Sequence, residues 1–484
     1  MSGHHLIHVV SITVIALAVA LAATAGLSLV LGDGDFLAFL LPTLVAAGLG
    51  WVGFRRTRLT RDLSVREGYA VVSLSWIAIG IVGAAPYLIS GAIDSPIAAL
   101  FESVSGFTTT GATVFGDIEA LPRGILFWRA LTQWIGGMGI IVLGVAVLPF
   151  LGVGGMQLFQ AEVPGPTAER LAPRITQTAK LLWLVYAGFT LLQTVLYVLG
   201  GMSVFDAVTH AFTTLSTGGF SVRNASLGAY DSPYLQYVTI IFMFLAGMNF
   251  TLHYRALTGR PQRYLADTEW RTYCVLAIAA TALLTAALVV RGDHTQLGME
   301  RTFRDALFQA ISILTTTGYV TADWELWPHV TQLTLLLLMF VGGMAGSTAG
   351  GMKVIRFYAF HRHGLTWLRR SIHPRAIVLT RIGRKALRDD DLQDIIAFIM
   401  LFLALFVGGS LVLTILSHDF MTAIGAAASA LGNIGPGLGD VGAVDNYGWM
   451  GGLSHIVLIF LMLAGRLEIF TVLLLFHPDL WRRK

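Results

Sequence analysis

The chain has 484 residues, 55% of them hydrophobic and only 12% charged, with a mean hydropathy of +0.72. Soluble domains carry about 25% charged residues, so this composition indicates a polytopic membrane protein, and the fold expected for it is all-α. The net charge of +4 is small, no nucleic-acid partner is expected, and the single Cys274 excludes an internal disulfide framework and thiolate metal clusters.

The first element is the uncharged run His8–Leu31. At ~1.5 Å per residue it is long enough to cross ~30 Å of hydrocarbon. The stretch ATAG at Ala23–Gly26 resembles a signal cleavage site, but no Lys or Arg precedes the run and it exceeds an ordinary signal core. A polar turn at Gly32–Asp35 leads to a second span, Phe36–Phe54. Residues 1–66 therefore read as an N-terminal hairpin. Its basic link (Arg55, Arg56, Arg58, Arg61, Arg66) belongs on the cytoplasmic side by the positive-inside rule.

The rest reads as four repeats of span, short apolar segment, Gly-centred loop and span, over residues 67–161, 162–259, 260–390 and 391–484. The pieces are Gly68–Ser90, Pro96–Thr113 and Ile125–Leu151; then Lys180–Gly200, Val204–Val222 and Tyr234–Tyr254. Repeat three has Thr272–Arg291, Phe303–Thr321 and Val330–Phe360; repeat four has Asp394–Ser417, Phe420–Gly439 and Gly451–Phe476. The loops read SGFTTTGAT at Ser105–Thr113, LSTGGF at Leu215–Phe220, LTTTGYV at Leu314–Val320 and LGNIGPGLG at Leu431–Gly439, centred on Gly111, Gly218, Gly318 and Gly435. Four such loops at near-constant spacing indicate a pseudo-fourfold arrangement meeting on one axis.

The segments before these loops are too short to span and read as half-helices, with Asp206, Asp305 and Asp419 as N-caps and Ser95-Pro96 opening the first. A half-helix entering from outside aims its partly negative C-terminal end at the membrane centre, which favours a cation. Gly backbones and Thr or Ser hydroxyls then replace lost hydration. The alternative is a set of capped turns outside the membrane. The positive charge clusters in the links: Arg255, Arg260, Arg263 and Arg271; Arg362, Arg369, Arg370, Arg375, Arg381, Arg384, Lys385 and Arg388; and Arg482–Lys484. All follow an even number of crossings, placing both termini in the cytoplasm and the loop mouths outside.

Two features lie inward of the loops. The second span of repeat three contains Gly342, Gly343, Gly346, Gly350 and Gly351 with Ser347 and Thr348, a composition that predicts a break. Close helix packing through small residues is the other reading. Arg466 replaces Met138, Met248 and Met344 when GGMG, AGMN, GGMA and AGRL of the four second spans are aligned. An Arg there either faces the ion path and repels a resident cation, or caps carbonyls. Glu468, two residues on, cannot share its helical face. Glu102 either tunes the cation path or holds loop structure, and Lys353 either tunes exit or marks the boundary. The histidines are scattered, with His4, His5, His361 and His363 expected to be solvated.

The four loops resemble the potassium-uptake superfamily that includes TrkH, KtrB and the plant HKT proteins, over all four repeats. The N-terminal hairpin, QAEVPGP at Gln160–Pro166 and GGMAGSTAGGMK at Gly342–Lys353 are similar to the TrkH branch. The resemblance implies a potassium filter at Thr109, Thr110, Gly111, Ser216, Thr217, Gly218, Thr316, Thr317, Gly318, Asn433, Ile434 and Gly435. It implies a gate at Gly346, Ser347, Thr348, Ala349, Gly350, Gly351, Lys353 and Arg466. The residues after each Gly (Ala112, Gly219, Tyr319, Pro436) differ, a less regular filter than a potassium channel's. The resemblance also implies the bacterial inner membrane, a homodimer, and a separate cytosolic TrkA-like subunit that binds NAD and ATP or ADP. No cofactor beyond K+ is implied for this chain.

Potassium uptake is thus the leading reading, with a less selective K+/Na+ transporter or a cation-coupled secondary transporter as alternatives. A symporter coupled to H+ or Na+ stays open, although no intramembrane carboxylate chain marks a relay. The repeats run parallel, unlike the inverted repeats common in secondary transporters. HExxH, GxSxG and P-loop motifs are absent from the sequence, arguing against an enzyme. The basic link Arg362–Arg388 reads either as a docking surface or as ordinary lipid-facing charge.

Overall fold

The computed structural model describes residues 3–60, 63–146, 171–292, 295–375, 378–383 and 385–481. Arg61, Arg384, Arg482–Lys484, the QAEVPGP stretch and the end of Ile125–Leu151 fall outside them. The described residues are mainly helical, with one antiparallel pair of two-residue strands, Arg381–Ile382 and Lys385–Ala386, in the third link.

Among the described residues, six helices are long and apolar enough to cross a membrane: Gly3–Leu31, Phe36–Arg56, Arg66–Ile89, Gln177–Leu199, Thr268–Arg291 and Asp389–Ile415. Each presents many apolar side chains outward, as lipid-facing helices must. The helix holding the third of these begins at a Ser64–Glu67 capping box, which satisfies N–H groups left free by the helix start. The first hairpin packs on the opening helices of repeat one, with Arg123 bidentate on Asp33 at its outer turn. His5, expected to be solvated, is buried against Thr60, 3.0 Å from its Oγ1, and against Glu67.

The half-helices are Pro96–Phe107, Val204–Leu215, Met299–Leu314 and Phe420–Gly432. At 12 to 16 residues they reach ~18–24 Å as helix, too short to cross ~30 Å of hydrocarbon. Ser95 and Asp419 cap as expected, with side chains accepting from Ala98 N and Met421 N. Asp206 and Asp305 do not. Ser203 caps the second half-helix, which frees Asp206 to take Arg223 at 2.8 Å and the Tyr230 hydroxyl at 2.7 Å. The third half-helix starts at Met299, so Asp305 lies inside it and accepts from Thr321 Oγ1. The charged run Glu300–Arg304 forms helical turns there, helped by a Glu300–Arg304 pair one turn apart at 3.1 Å.

The second spans depart most from expectation. The predicted break in repeat three is present: helix ends at Val341 and resumes at Val354. Repeats two and four also break, where continuous spans were expected. Pro233–Ala246 meets Phe250–Leu257 at 101°, and Gly452–Arg466 meets Phe470–Phe476 at 120°. Both breaks are only a few residues long and the apolar pattern runs through them. In repeat two, Asn249 caps the following helix through Thr251 N. In repeat four, Glu468 turns the chain with φ +59°. All three breaks fall at the aligned position of Met138, Met248, Met344 and Arg466.

Candidate functional site: a ring of four glycine loops above a broken helix

Each half-helix ends the same way. Thr109, Thr217, Thr316 and Asn433 take left-handed backbone at φ +52°, +53°, +56° and +56°. That region costs a non-Gly residue ~1–2 kcal/mol, so its fourfold recurrence marks a shared constraint. Two residues later comes a second left-handed residue: Gly111, Gly219, Gly318 and Gly435, at φ +85°, +72°, +78° and +105°. Hydrogen bonds repeat in the same register, Thr110 N to Ser105 O, Gly218 N to Thr213 O, Thr317 N to Ser312 O and Ile434 N to Ser429 O, at 2.8–3.0 Å.

This register corrects one expectation. Gly218 holds the place of Thr110, Thr317 and Ile434, and Gly219 holds the place of the other three glycines. Likewise Thr217, not Ser216, matches Thr109. The dipeptide Gly218-Gly219 allowed either reading, and only the backbone angles decide.

The four glycines are neighbours around a closed ring. A Cβ on Gly111 would lie 2.1 Å from Gly218 O, one on Gly219 1.9 Å from Thr317 O, and one on Gly318 1.8 Å from Ile434 O. One on Gly435 would lie 2.8 Å from Thr110 O, returning to repeat one. No side chain fits between a glycine and the next repeat's carbonyl. A vestibule of about 140 Å³ opens above, lined by Gly111, Gly219, Gly318 and Gly435 with Asp445 and Tyr447 among others.

A different contact closes each seam. Between repeats one and two, Gln133 donates to Gly218 O at 2.7 Å and accepts from Phe220 N at 3.0 Å. Between two and three, Tyr319 hydrogen-bonds Thr213 and donates to His210 O. Between three and four, Glu325 accepts from Gly439 N at 2.7 Å. Between four and one, Asn433 donates to Thr110 Oγ1 at 3.0 Å.

Glu102 turns out to hold loop structure. It pairs with Arg129 at 2.8 Å, both almost wholly buried, and accepts from Val114 N at 2.9 Å. Arg129 also donates to Ser221 O and stacks over Phe220, its guanidinium 4.1 Å from the ring centre. Sequence reasoning missed Arg129 and Gln133. The available signal was two strongly polar residues, one helical turn apart, in an otherwise apolar inner span.

Inward of the ring lies the break of repeat three, 342–353, with Gly342, Gly346, Gly351 and Lys353 at φ +70° to +76°. It touches the ring directly. Gly350 N donates to Thr316 Oγ1 at 2.6 Å, and Gly351 N to Gly432 O at 3.1 Å. The Thr348 hydroxyl is shared between Leu215 O and Ala246 O, and Ala349 O accepts from Lys353 Nζ. Ser347 turns back on Met344 O. Phe250 N donates to Gly346 O at 3.1 Å, joining this segment to the break of repeat two. Glu269 accepts from Ala345 N and Ile355 N, on either side of the excursion. Arg466 is 3% exposed and donates to Thr348 O at 2.6 Å and Gly136 O at 3.3 Å. Among the described residues no carboxylate pairs with it, because Glu468 takes Arg356. Its contacts are those of the carbonyl-capping reading, made on the broken segment itself.

Such a ring offers carbonyl and hydroxyl oxygens without fixed charge, suited to a dehydrated monovalent cation. The described residues contain no cluster of His, Cys, Asp and Glu able to hold a metal ion.

A family model described as a cation transport protein, TrkH, matches residues 36–483. The chain is 39% identical to the Trk system potassium uptake protein TrkH of Vibrio parahaemolyticus, with 100% of both chains covered. It is 39% identical to the TrkH protein of Escherichia coli K12, covering 94% of each, and 34% identical to TrkG of that strain, covering 92% of this chain and 91% of TrkG. The crystal structure of the potassium transporter TrkH from Vibrio parahaemolyticus matches with a TM-score of 0.92 at 37% identity, covering 100% of both chains.

Proposed function

The chain belongs to the TrkH family of cation transport proteins, and we propose that it takes up potassium through the glycine ring, which acts as its selectivity filter. The observation that carries this reading is the closed succession of glycine beside carbonyl around four loops. Carbonyls spaced by packing against the next repeat's glycine replace the hydration shell of K+ more cheaply than that of the smaller Na+. Inward movement follows the membrane potential, worth about 2.3 kcal/mol per charge per 100 mV.

The segment Gly346–Gly351, with Lys353 and Arg466, is the gate. It hydrogen-bonds the inner side of the ring and must move for an ion to leave. The basic inner links support a bacterial inner-membrane orientation with both termini cytoplasmic. A homodimer, regulated by a cytosolic TrkA-like subunit carrying NAD, ATP or ADP, completes the proposal. The helix Val354–Ile372 continues directly from the gate into the link that such a subunit would engage.

The test is flux of K+, Rb+ and Na+ in proteoliposomes of the purified protein, beside Gly435→Ser. K+ and Rb+ flux above Na+, with the gap narrowed by Ser, is expected. Equal Na+ and K+ flux in the parent protein refutes potassium selectivity.

A further inference from the structure

We propose that Gln133 is a specificity-determining positioning residue, which makes the repeat-two quarter of the ring unlike the other three. The inference rests on reading the ring as a potassium filter. Thr110 O, Gly218 O, Thr317 O and Ile434 O are equivalent by register, each against the glycine of an adjacent repeat. Among the described residues, no donor reaches Thr110 O, Thr317 O or Ile434 O. Of these four carbonyls Gly218 O alone takes a side-chain hydrogen bond, from Gln133 Nε2 at 2.7 Å; in repeat four it is the next carbonyl, Gly435 O, that accepts from Ser429 and Tyr447 hydroxyls.

The same side chain explains the composition of repeat two. A Cβ on Gly218 would lie 2.4 Å from Gln133 Cδ and 2.5 Å from its Oε1. The Gln133 amide therefore fills the space that Thr110, Thr317 and Ile434 fill with their own side chains. Its other end accepts from Phe220 N at 3.0 Å, so both sides of Gly219 are tied to one rigid, fully buried amide. Arg129, one turn earlier on the same helix, stacks on the Phe220 ring.

A carbonyl with its own donor is held at fixed radius. It resists closing inward around a smaller ion, while the three free carbonyls adjust. Gln133 thus holds one wall of the site at the size of K+. Without it, the repeat-two carbonyl relaxes toward Na+. The residue acts through Gly218 and does not touch the ion.

The experiment compares K+ and Na+ flux in proteoliposomes for the parent, Gln133→Met, Gly218→Thr, and the double variant Gln133→Ala with Gly218→Thr. Gln133→Met keeps length and removes both bonds. Its Na+/K+ flux ratio should rise by about threefold or more, one modest hydrogen bond expressed as a ratio. Gly218→Thr alone should lose flux through the clash with Gln133. The double variant frees that space and makes repeat two resemble repeats one and three. It should recover flux with the raised Na+/K+ ratio. A purely structural role for Gln133 predicts recovered flux at the parent's ratio, which overturns the proposal. Should Gln133→Met fail to fold, the double variant decides; failure of both to fold also overturns it. A parent that does not discriminate removes the potassium reading itself, whereas a discriminating parent with unchanged variants removes this inference alone.

Discussion

Replacing Arg466 with alanine should open the gate proposed at Gly346–Gly351. The guanidinium joins the Thr348 carbonyl of the broken segment to the repeat-one carbonyl of Gly136, at 2.6 and 3.3 Å. Hydrogen bonds from charged groups contribute ~1.5–3 kcal/mol each, and the cost of burying an unpaired guanidinium offsets part of that. A net ~2 kcal/mol favouring the seated loop corresponds to about a thirtyfold change in the closed-to-open ratio. The bonds of Gly350, Gly351 and Thr348 to the ring remain, so the loop is loosened and not released. The assay is partner-free Rb+ flux into proteoliposomes at matched protein incorporation. Arg466→Ala should exceed the parent by up to that factor, and Arg466→Lys, retaining charge and one donor, should fall between. Flux equal to or below the parent in Arg466→Ala would refute the latch and the magnitude derived from it.

Three further outcomes are expected. Gly219→Ala should abolish K+ flux while the protein remains monodisperse, because its Cβ would meet Thr317 O at 1.9 Å on left-handed backbone; normal flux would return the ring position to Gly218. Glu102→Gln leaves Arg129 buried without its counter-charge and should cost ~3–5 kcal/mol, read as a lowered melting temperature in detergent. Glu325, at the seam between repeats three and four, has a carboxyl raised above its usual range by burial and by Asp323, Asp445 and Asp440, against the lowering donation of Gly439 N–H. The fold therefore favours its neutral form, and that contribution is complete below the ordinary carboxylate range and lost as pH rises through the raised value. Melting temperatures of Glu325→Gln should depend less on pH over that window than those of the parent.

Much of this architecture is legible in the sequence because the membrane imposes few solutions. Long uncharged runs must be spanning helices, and short apolar segments ending in Thr-Thr-Gly must be half-helices with a turn. The break of repeat three is legible because five glycines fall within ten residues. The breaks of repeats two and four are not, since one polar residue in each, Asn249 or Glu468, does not stop the two flanking helices from reading together as one apolar span. Asp206 and Asp305 look like caps by residue type, but Ser203 and a longer amphipathic helix displace them. The Gly218–Gly219 register is invisible because either glycine tolerates left-handed backbone. Arg129 and Gln133 act across repeats on groups distant in sequence, and a linear reading carries no sign of such partners.

The seams of the ring differ in kind: an amide, a phenol, a carboxylate and an asparagine side chain. A pore assembled from four identical polypeptides cannot arrange this, because any substitution appears four times at once. Joining the quarters in a single gene lifts that restriction. One seam can drift, stiffen or acquire a new neighbour while the opposite wall keeps its inherited geometry. The ring of such a molecule can be altered one seam at a time.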